Sequence, residues 1–255
     1  MGCLKRWLKQ RLPAVLWDRA RYAAHRTLHG VRNHDLIQLA QLYGTDKWGN
    51  HRYAQHYAFH FHALRLRPLV LLEIGVGGHL NPASGGASLR MWKHYFSNGK
   101  IYGIDLHDKS QHNEHRIRIF QGDQSDPQFL ADVIRQTGPP DIIIDDGSHR
   151  VDHVRISFDT LFPLLASDGV YVIEDLQTSY WPEFGGSRCL SDGRTTLGWL
   201  KKRVDGLNYE EFLDTPDQAE VFDRSITGMH FYHNLAFIQK GRNAEGSNQL
   251  LVRNQ

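Results

Sequence analysis

Cysteine is nearly missing from this 255-residue chain: Cys3 and Cys189 are its two thiols. Two are too few for a disulfide framework, so the fold must rest on a buried core and the expected setting is a reducing cytoplasm. Long apolar runs are missing too. None approaches the roughly 20 residues of a membrane span, and no leader-like segment is visible, so a transmembrane protein is not expected. Nor does charge of one sign dominate, since 30 Lys and Arg stand against 28 Asp and Glu. Internal repeats and low-complexity tracts are absent, and no interleaving of basic and aromatic residues argues for a nucleic-acid partner.

The charge that is present is distributed unevenly. Residues 1–34 hold eight Lys or Arg against Asp18 alone. Leu4, Leu8 and Leu12 share a helical face beside Trp7, ringed by Lys5, Arg6, Lys9 and Arg11. Such a basic helical segment can pack on its own domain, on another subunit, or weakly on an anionic membrane surface, which would make the protein membrane-peripheral. The Met-Gly-Cys start is not an acylation signal, because Arg6 stands where Ser or Thr is needed. Residues 35–240 suit one α/β domain, and residues 241–255 read as a disordered tail.

The organising stretch is 140–175. Asp-Ile-Ile-Ile-Asp-Asp-Gly-Ser-His (141–149) reads as a strand covered on both faces that runs into acid, and Gly-Val-Tyr-Val-Ile-Glu-Asp (169–175) reads the same way. Val151, Val154, Phe158 and Leu161 recur between them at helical spacing. This is a strand-helix-strand unit, whose parallel strands bring Asp145 and Asp146 to the same sheet edge as Glu174 and Asp175. Gathered carboxylates repel, so they need solvation, raised pKa values or a cation; an oxygen-rich set favours a hard ion such as Mg²⁺. One acid of each pair could instead cap a helix.

Upstream, residues 35–42 suggest a short helix before the loop Tyr-Gly-Thr-Asp-Lys-Trp-Gly (43–49), a lid or ligand-facing turn in which Thr45 is assigned to the cofactor. In the next helix, residues 53–64, His56 and His60 stand four apart and could share a zinc ion, though no third ligand is in register. The run 69–74 is a buried strand followed by the glycine turn Gly75-Val76-Gly77-Gly78, and the strand 101–105 ends at Asp105, placed to accept from ribose hydroxyls. A dinucleotide site needs a third glycine running straight into a helix. Here Leu80 and a long insertion intervene, and Glu73 suits a cationic, phosphate-free ligand. S-adenosylmethionine is such a ligand. Asp123 and Gln124, after the strand 116–121, could bond adenine, while Ser125 or Asp126 could cap the following helix. Near the C-terminus, strands 225–232 and 235–239 joined by His233-Asn234 form a hairpin. The expected fold is Rossmann-like α/β: a doubly wound, mostly parallel seven-stranded sheet with an antiparallel C-terminal hairpin and N-terminal helices.

On the residues at 43–49, Glu-Ile-Gly-Val-Gly-Gly (73–78), Asp-Asp-Gly-Ser-His (145–149), Glu-Asp-Leu (174–176) and Ser-Tyr-Trp-Pro-Glu-Phe-Gly-Gly (179–186), the chain resembles the class I S-adenosylmethionine-dependent methyltransferases. More narrowly, it is similar to the Mg²⁺-dependent sugar O-methyltransferases of macrolide biosynthesis, the mycinamicin 2''-O-methyltransferase type. That resemblance implies a methyltransferase domain over 35–240 and metal ligation by Asp146, Glu174 and Asp175, with His149 as general base. Glu73, Gly75, Gly77, Asp105, Asp123, Gln124 and Asp145 then line the cofactor, and Tyr180 and Trp181 form a wall over the acceptor, a small molecule or glycan. A homo-oligomer is also implied, although the larger N-terminal domain of those enzymes is replaced here by a short basic segment. Competing expectations are a metal-independent methyltransferase, a non-catalytic cofactor-binding subunit and a metal-dependent hydroxylase.

Overall fold

The computed structural model describes residues 35–79, 81, 83–212 and 219–247. The basic segment with Leu4, Leu8 and Leu12, and Cys3, lie outside the described residues, as do Leu80 and residues 248–255. Seven strands follow the order 117–121, 100–105, 70–74, 142–145, 170–173, 235–240 and 226–232, the expected mostly parallel sheet with an antiparallel hairpin at the C-terminal end. The chain divides into two compact units, the first ending at Asp123 and the second starting at Gln124.

The first unit carries β1 (Val70–Ile74), β2 (Lys100–Asp105) and β3 (Ile117–Gln121), all parallel. Helices α1 (Leu36–Tyr43), α2 (Ala54–Phe61) and α3 (Ala87–Tyr95) accompany them. Four of the five β1 residues are buried, which is why its sequence shows no alternation. Helix α1 starts where the Asp35 side chain accepts from the Ile37 amide and stops at Gly44, whose φ of 69° ends the helix in the left-handed conformation. Tyr57, Phe61, Trp92 and Phe96 stack edge to face or tilted. Each such buried side chain contributes about 1.5–3 kcal/mol of apolar burial, and together they fix α2 and α3 against each other.

The second unit carries α4 (Pro127–Thr137), β4 (Ile142–Asp145), α5 (Val151–Leu161), β5 (Val170–Ile173), α6 (Thr196–Gly206), β6 (Ile226–Tyr232) and β7 (Leu235–Lys240). Strands β4 and β5 are parallel and wholly buried; β7 runs antiparallel to β5 and to β6. Asp126 is the cap of α4, accepting from Gln128 and Phe129, so the capping reading of that residue holds. Phe158, Phe162, Trp199 and Phe222 form the aromatic core.

Residues 241–247, read as part of a tail, make hydrogen bonds to the second unit. Asn243 donates from its side chain to Leu207 and Asp223 carbonyls, the Gly246 amide to Glu210, and the Ser247 hydroxyl to Glu211. The stretch is polar because its partners are polar, which composition alone cannot distinguish from disorder. Among the described residues, no helix is long and apolar enough to cross a membrane.

Candidate active site

In the first unit the glycine turn is what backbone geometry requires. Gly75, Gly77, Gly78, Gly85 and Gly86 all have positive φ. A Cβ on Gly78 would lie 2.2 Å from the Ser84 carbonyl oxygen, so the 75–86 segment folds back on itself at a distance only glycine permits. The turn is tied to the tip of β2: the Val76 amide donates to Asp105 Oδ2 at 3.0 Å, and the His107 amide donates to Asp105 Oδ1 at 2.9 Å. Asp105 therefore sits beside the turn with each carboxylate oxygen already accepting one amide, leaving lone pairs for a further donor.

Glu73 behaves differently from a carboxylate waiting for a cationic ligand. Lys47 Nζ lies 3.1 Å from its Oε1, with both side chains wholly inaccessible to solvent. The chain thus supplies its own counter-ion. Lys47 also carries the 43–49 loop, because its amide donates to Thr45 Oγ1 and its carbonyl accepts from the Ala54 amide. Thr45 is buried, so the loop is anchored rather than left as a free flap. Sequence inspection left Lys47 without a role; a lysine in a glycine-rich loop facing an acid in an apolar strand was the available signal.

In the second unit Asp145 closes β4 as a buried acid. Gln124 Nε2 donates to its Oδ1 and Tyr171 Oη donates to its Oδ2, both at 3.2 Å. Burial pushes its carboxyl up to about 6, against the opposing pull of His149, Gln124, Tyr171 and the Gly147 amide. Burial likewise raises the Tyr171 phenol, with Asp145 adding to the effect. Gln124 also donates to Ser157 Oγ at 3.0 Å and accepts from the Ser148 amide at 2.7 Å. Both of its amide protons are committed to the protein. Asp145 and Gln124 are thus joined in one buried network with Ser148, Ser157 and Tyr171, while Asp123 is exposed. A hydroxyl inside Val-Tyr-Val-Ile signals such a network, since buried polar groups require partners.

Just beyond the ends of β4 and β5, Asp146, His149 and Asp175 each offer a ligand atom within 4.8 Å of the others. His149 Nε2 is 3.6 Å from Asp175 Oδ2, and both side chains keep partial access to solvent, 22% and 17%. His149 and Asp175 have φ of 57° and 55°, left-handed values uncommon for residues with a side chain. Such conformations cluster at functional sites, where the surroundings hold them. Two tethers hold Asp175: its carbonyl accepts from Thr178, and the next amide, Leu176, donates to Asn234 at 3.1 Å.

Glu174 is buried and is not one of this trio. The trio's donor set, two carboxylates and an imidazole at a partly solvated edge, fits a divalent cation. Among the described residues it is the only such group, so His56 and His60 gain no third ligand. Tyr180 and Trp181 are 40% and 43% exposed on the turn after Asp175, with Trp181 tilted against Phe184.

No family model matches the chain. It is 48% identical over 226 residues to the 8-demethyl-8-alpha-L-rhamnosyl tetracenomycin-C 2'-O-methyltransferase of Streptomyces olivaceus, covering 87% of this chain and 60% of that protein. Mycinamicin VI 2''-O-methyltransferase of Micromonospora griseorubida is 49% identical over 220 residues, covering 85% of this chain and 55% of that protein. Among solved structures, the MycE methyltransferase of the mycinamycin pathway in complex with Mg and SAH superposes with a TM-score of 0.83 at 46% identity, over 89% of this chain and 60% of that one. The chain thus spans about 55–60% of the length of these relatives.

Proposed function

We propose that this chain, similar over most of its length to sugar O-methyltransferases of natural-product biosynthesis, transfers a methyl group from S-adenosylmethionine to a hydroxyl of a sugar on a glycosylated small molecule. The observation that carries the reading is the meeting of Asp146, His149 and Asp175 beyond the ends of the adjacent strands β4 and β5. It is supported by the glycine turn tied to Asp105 and by relatives of 48% and 49% identity that are sugar-directed O-methyltransferases by name.

When bound, the cation supplies positive charge that orients and acidifies neighbouring hydroxyls, and the sulfonium cofactor supplies the methyl group. Asp146 and Asp175 would hold that cation, with Glu174, the neighbour of Asp175, as the third oxygen ligand. His149 takes the proton from the attacking hydroxyl, being the side chain at the site whose basicity suits neutral pH. Asp105 orients the cofactor from the tip of β2, Gly75 and Gly77 let the backbone approach it, and Thr45, Asp123, Gln124 and Asp145 shape its surroundings. Tyr180 and Trp181 cover the acceptor and exclude water, so much of the rate comes from alignment. Two expectations attach to the basic residues 1–34: assembly of a homo-oligomer, read by light scattering, and weak contact with anionic vesicles, read by flotation.

The test supplies methyl-labelled S-adenosylmethionine with rhamnosylated polyketides and glycosylated macrolides as acceptors. Label should pass to the sugar with Mg²⁺, stop with EDTA, and return when Mg²⁺ is restored; Asp146→Asn should abolish transfer while cofactor affinity holds. Full activity in chelator would remove the metal from the reaction and leave His149 acting alone. Cofactor binding without transfer to any such acceptor, by the full chain with Mg²⁺, would favour a non-catalytic subunit.

A further inference from the structure

Lys109 is fully buried, and its ammonium group donates to three main-chain carbonyls: His79 at 2.8 Å, Asn81 at 2.8 Å and Ser84 at 3.1 Å. An ammonium has three protons, and each finds an acceptor. All three carbonyls belong to the insertion that separates the glycine turn from α3, the feature that departs from a dinucleotide-binding turn. Carbonyl oxygens converging on one point repel one another unless a cation occupies the focus.

From the helix side Arg90 approaches the Gly85 and Gly86 carbonyls at 3.3 and 3.2 Å. Within the insertion, Asn81 accepts from the Ala83 amide and donates to Ser84 Oγ, and the Gly86 amide donates to the Val76 carbonyl. Lys109 stands four residues beyond Asp105, so one loop carries both the acid that receives the Val76 amide and the cation that gathers the insertion. Val76, at one end of the segment, and Ser84, near the other, are thereby both tied to the connection after β2.

We propose that Lys109 is a positioning residue for cofactor binding: it holds His79, Asn81 and Ser84 of the insertion beside the glycine turn, in the conformation that receives S-adenosylmethionine. This rests on reading the turn as the cofactor site. Its role is remote from the methyl transfer itself, so its loss weakens binding to ground and transition states alike and raises KM for the cofactor without lowering kcat.

The experiment uses the full chain and measures binding of S-adenosylhomocysteine by calorimetry, hydrogen exchange across residues 76–86, and melting temperature. Lys109→Met should weaken binding by at least tenfold and speed exchange in that segment. Lys109→Arg, which keeps the charge but changes donor geometry, should recover part of the affinity. Arg116→Met is the control. Arg116 donates to the Lys93, Phe96 and Gly99 carbonyls before β2, at the other end of the strands, so its loss should lower the melting temperature while affinity stays within threefold.

If the wild-type protein fails to bind S-adenosylhomocysteine, the cofactor reading falls and this proposal with it. If the wild type binds and Lys109→Met matches it within threefold, only the role of Lys109 is overturned. Should Lys109→Met not fold, Lys109→Arg decides: reduced affinity with near-native melting supports the role, and unchanged affinity and exchange refute it. Equal losses of affinity in Arg116→Met and Lys109→Met would reduce Lys109 to a general stabilising contact, which also refutes it.

Discussion

Replacing Lys47 by methionine removes one member of an ion pair that water does not reach. At 3.1 Å with both side chains wholly inaccessible, the attraction is about 5 kcal/mol at an effective dielectric of about 20. Most of that offsets the desolvation of the two charges, so the pair adds little relative to an apolar pair of the same size. Removing one partner is another matter, because Glu73 is left charged in an apolar strand, and the cost is about 3–5 kcal/mol. For a chain of this size each kcal/mol lowers the melting temperature by about 2–4 °C, so Lys47→Met should melt roughly 6–20 °C below the wild type. Lys47→Met combined with Glu73→Leu should recover much of the loss, because no uncompensated charge remains. Thermal melts followed by circular dichroism, with urea titration at 25 °C, give all three values. A loss below about 1 kcal/mol for Lys47→Met, or a double variant no more stable than Lys47→Met, would refute the pairing argument. If Glu73 instead exists to face a cationic ligand, Lys47→Met would leave stability unchanged and tighten cofactor binding.

The buried Asp145 makes a prediction about pH. Its carboxyl is raised to about 6 in the folded protein, above its unfolded value of about 3.9, so the native state binds the proton more tightly. Its favourable contribution is complete below about pH 4 and is lost as pH rises toward 6, a decline of about 3 kcal/mol in the chelator-treated protein. Asp145→Asn should flatten that part of the curve, and superimposable wild-type and variant curves would contradict it. His149→Ala should lower kcat by about 10²–10⁴-fold and erase the rising base limb of the pH profile. If Mg²⁺ affinity falls instead and the limb survives, His149 is a ligand and not the base.

Strands were legible where burial acts on both faces. Ile142, Ile143 and Ile144 admit few alternatives to a covered parallel strand, and the acids that follow them were found because apolar strands ending in charge are conspicuous. The Asp-Asp-Gly-Ser-His turn was legible for the same reason. What stayed hidden were partnerships decided in three dimensions. Lys109 leaves no motif because its partners are carbonyls, which every residue has. Gln124 read as a candidate for adenine because an amide after a strand looks available; its bonds to the Asp145 and Ser157 side chains and the Ser148 amide depend on groups 21 to 33 residues away. Glu174 and Asp175 look equivalent in sequence, yet Asp175 has a left-handed backbone and lies in the trio with Asp146 and His149, while Glu174 is buried beside it.

The hydrogen bond from the Leu176 amide to Asn234, itself in a left-handed turn at φ 61°, has a bearing on how the protein is made. A nascent chain emerges from the ribosome in sequence order, and Asp146, His149 and Asp175 all emerge well before Asn234. Until the β6–β7 hairpin follows, one clamp on the peptide next to Asp175 is missing, so the acidic rim matures only after the hairpin docks. A fusion partner or label inserted at His233-Asn234 would therefore disturb metal affinity from a point that looks, in the linear chain, far removed from the chemistry.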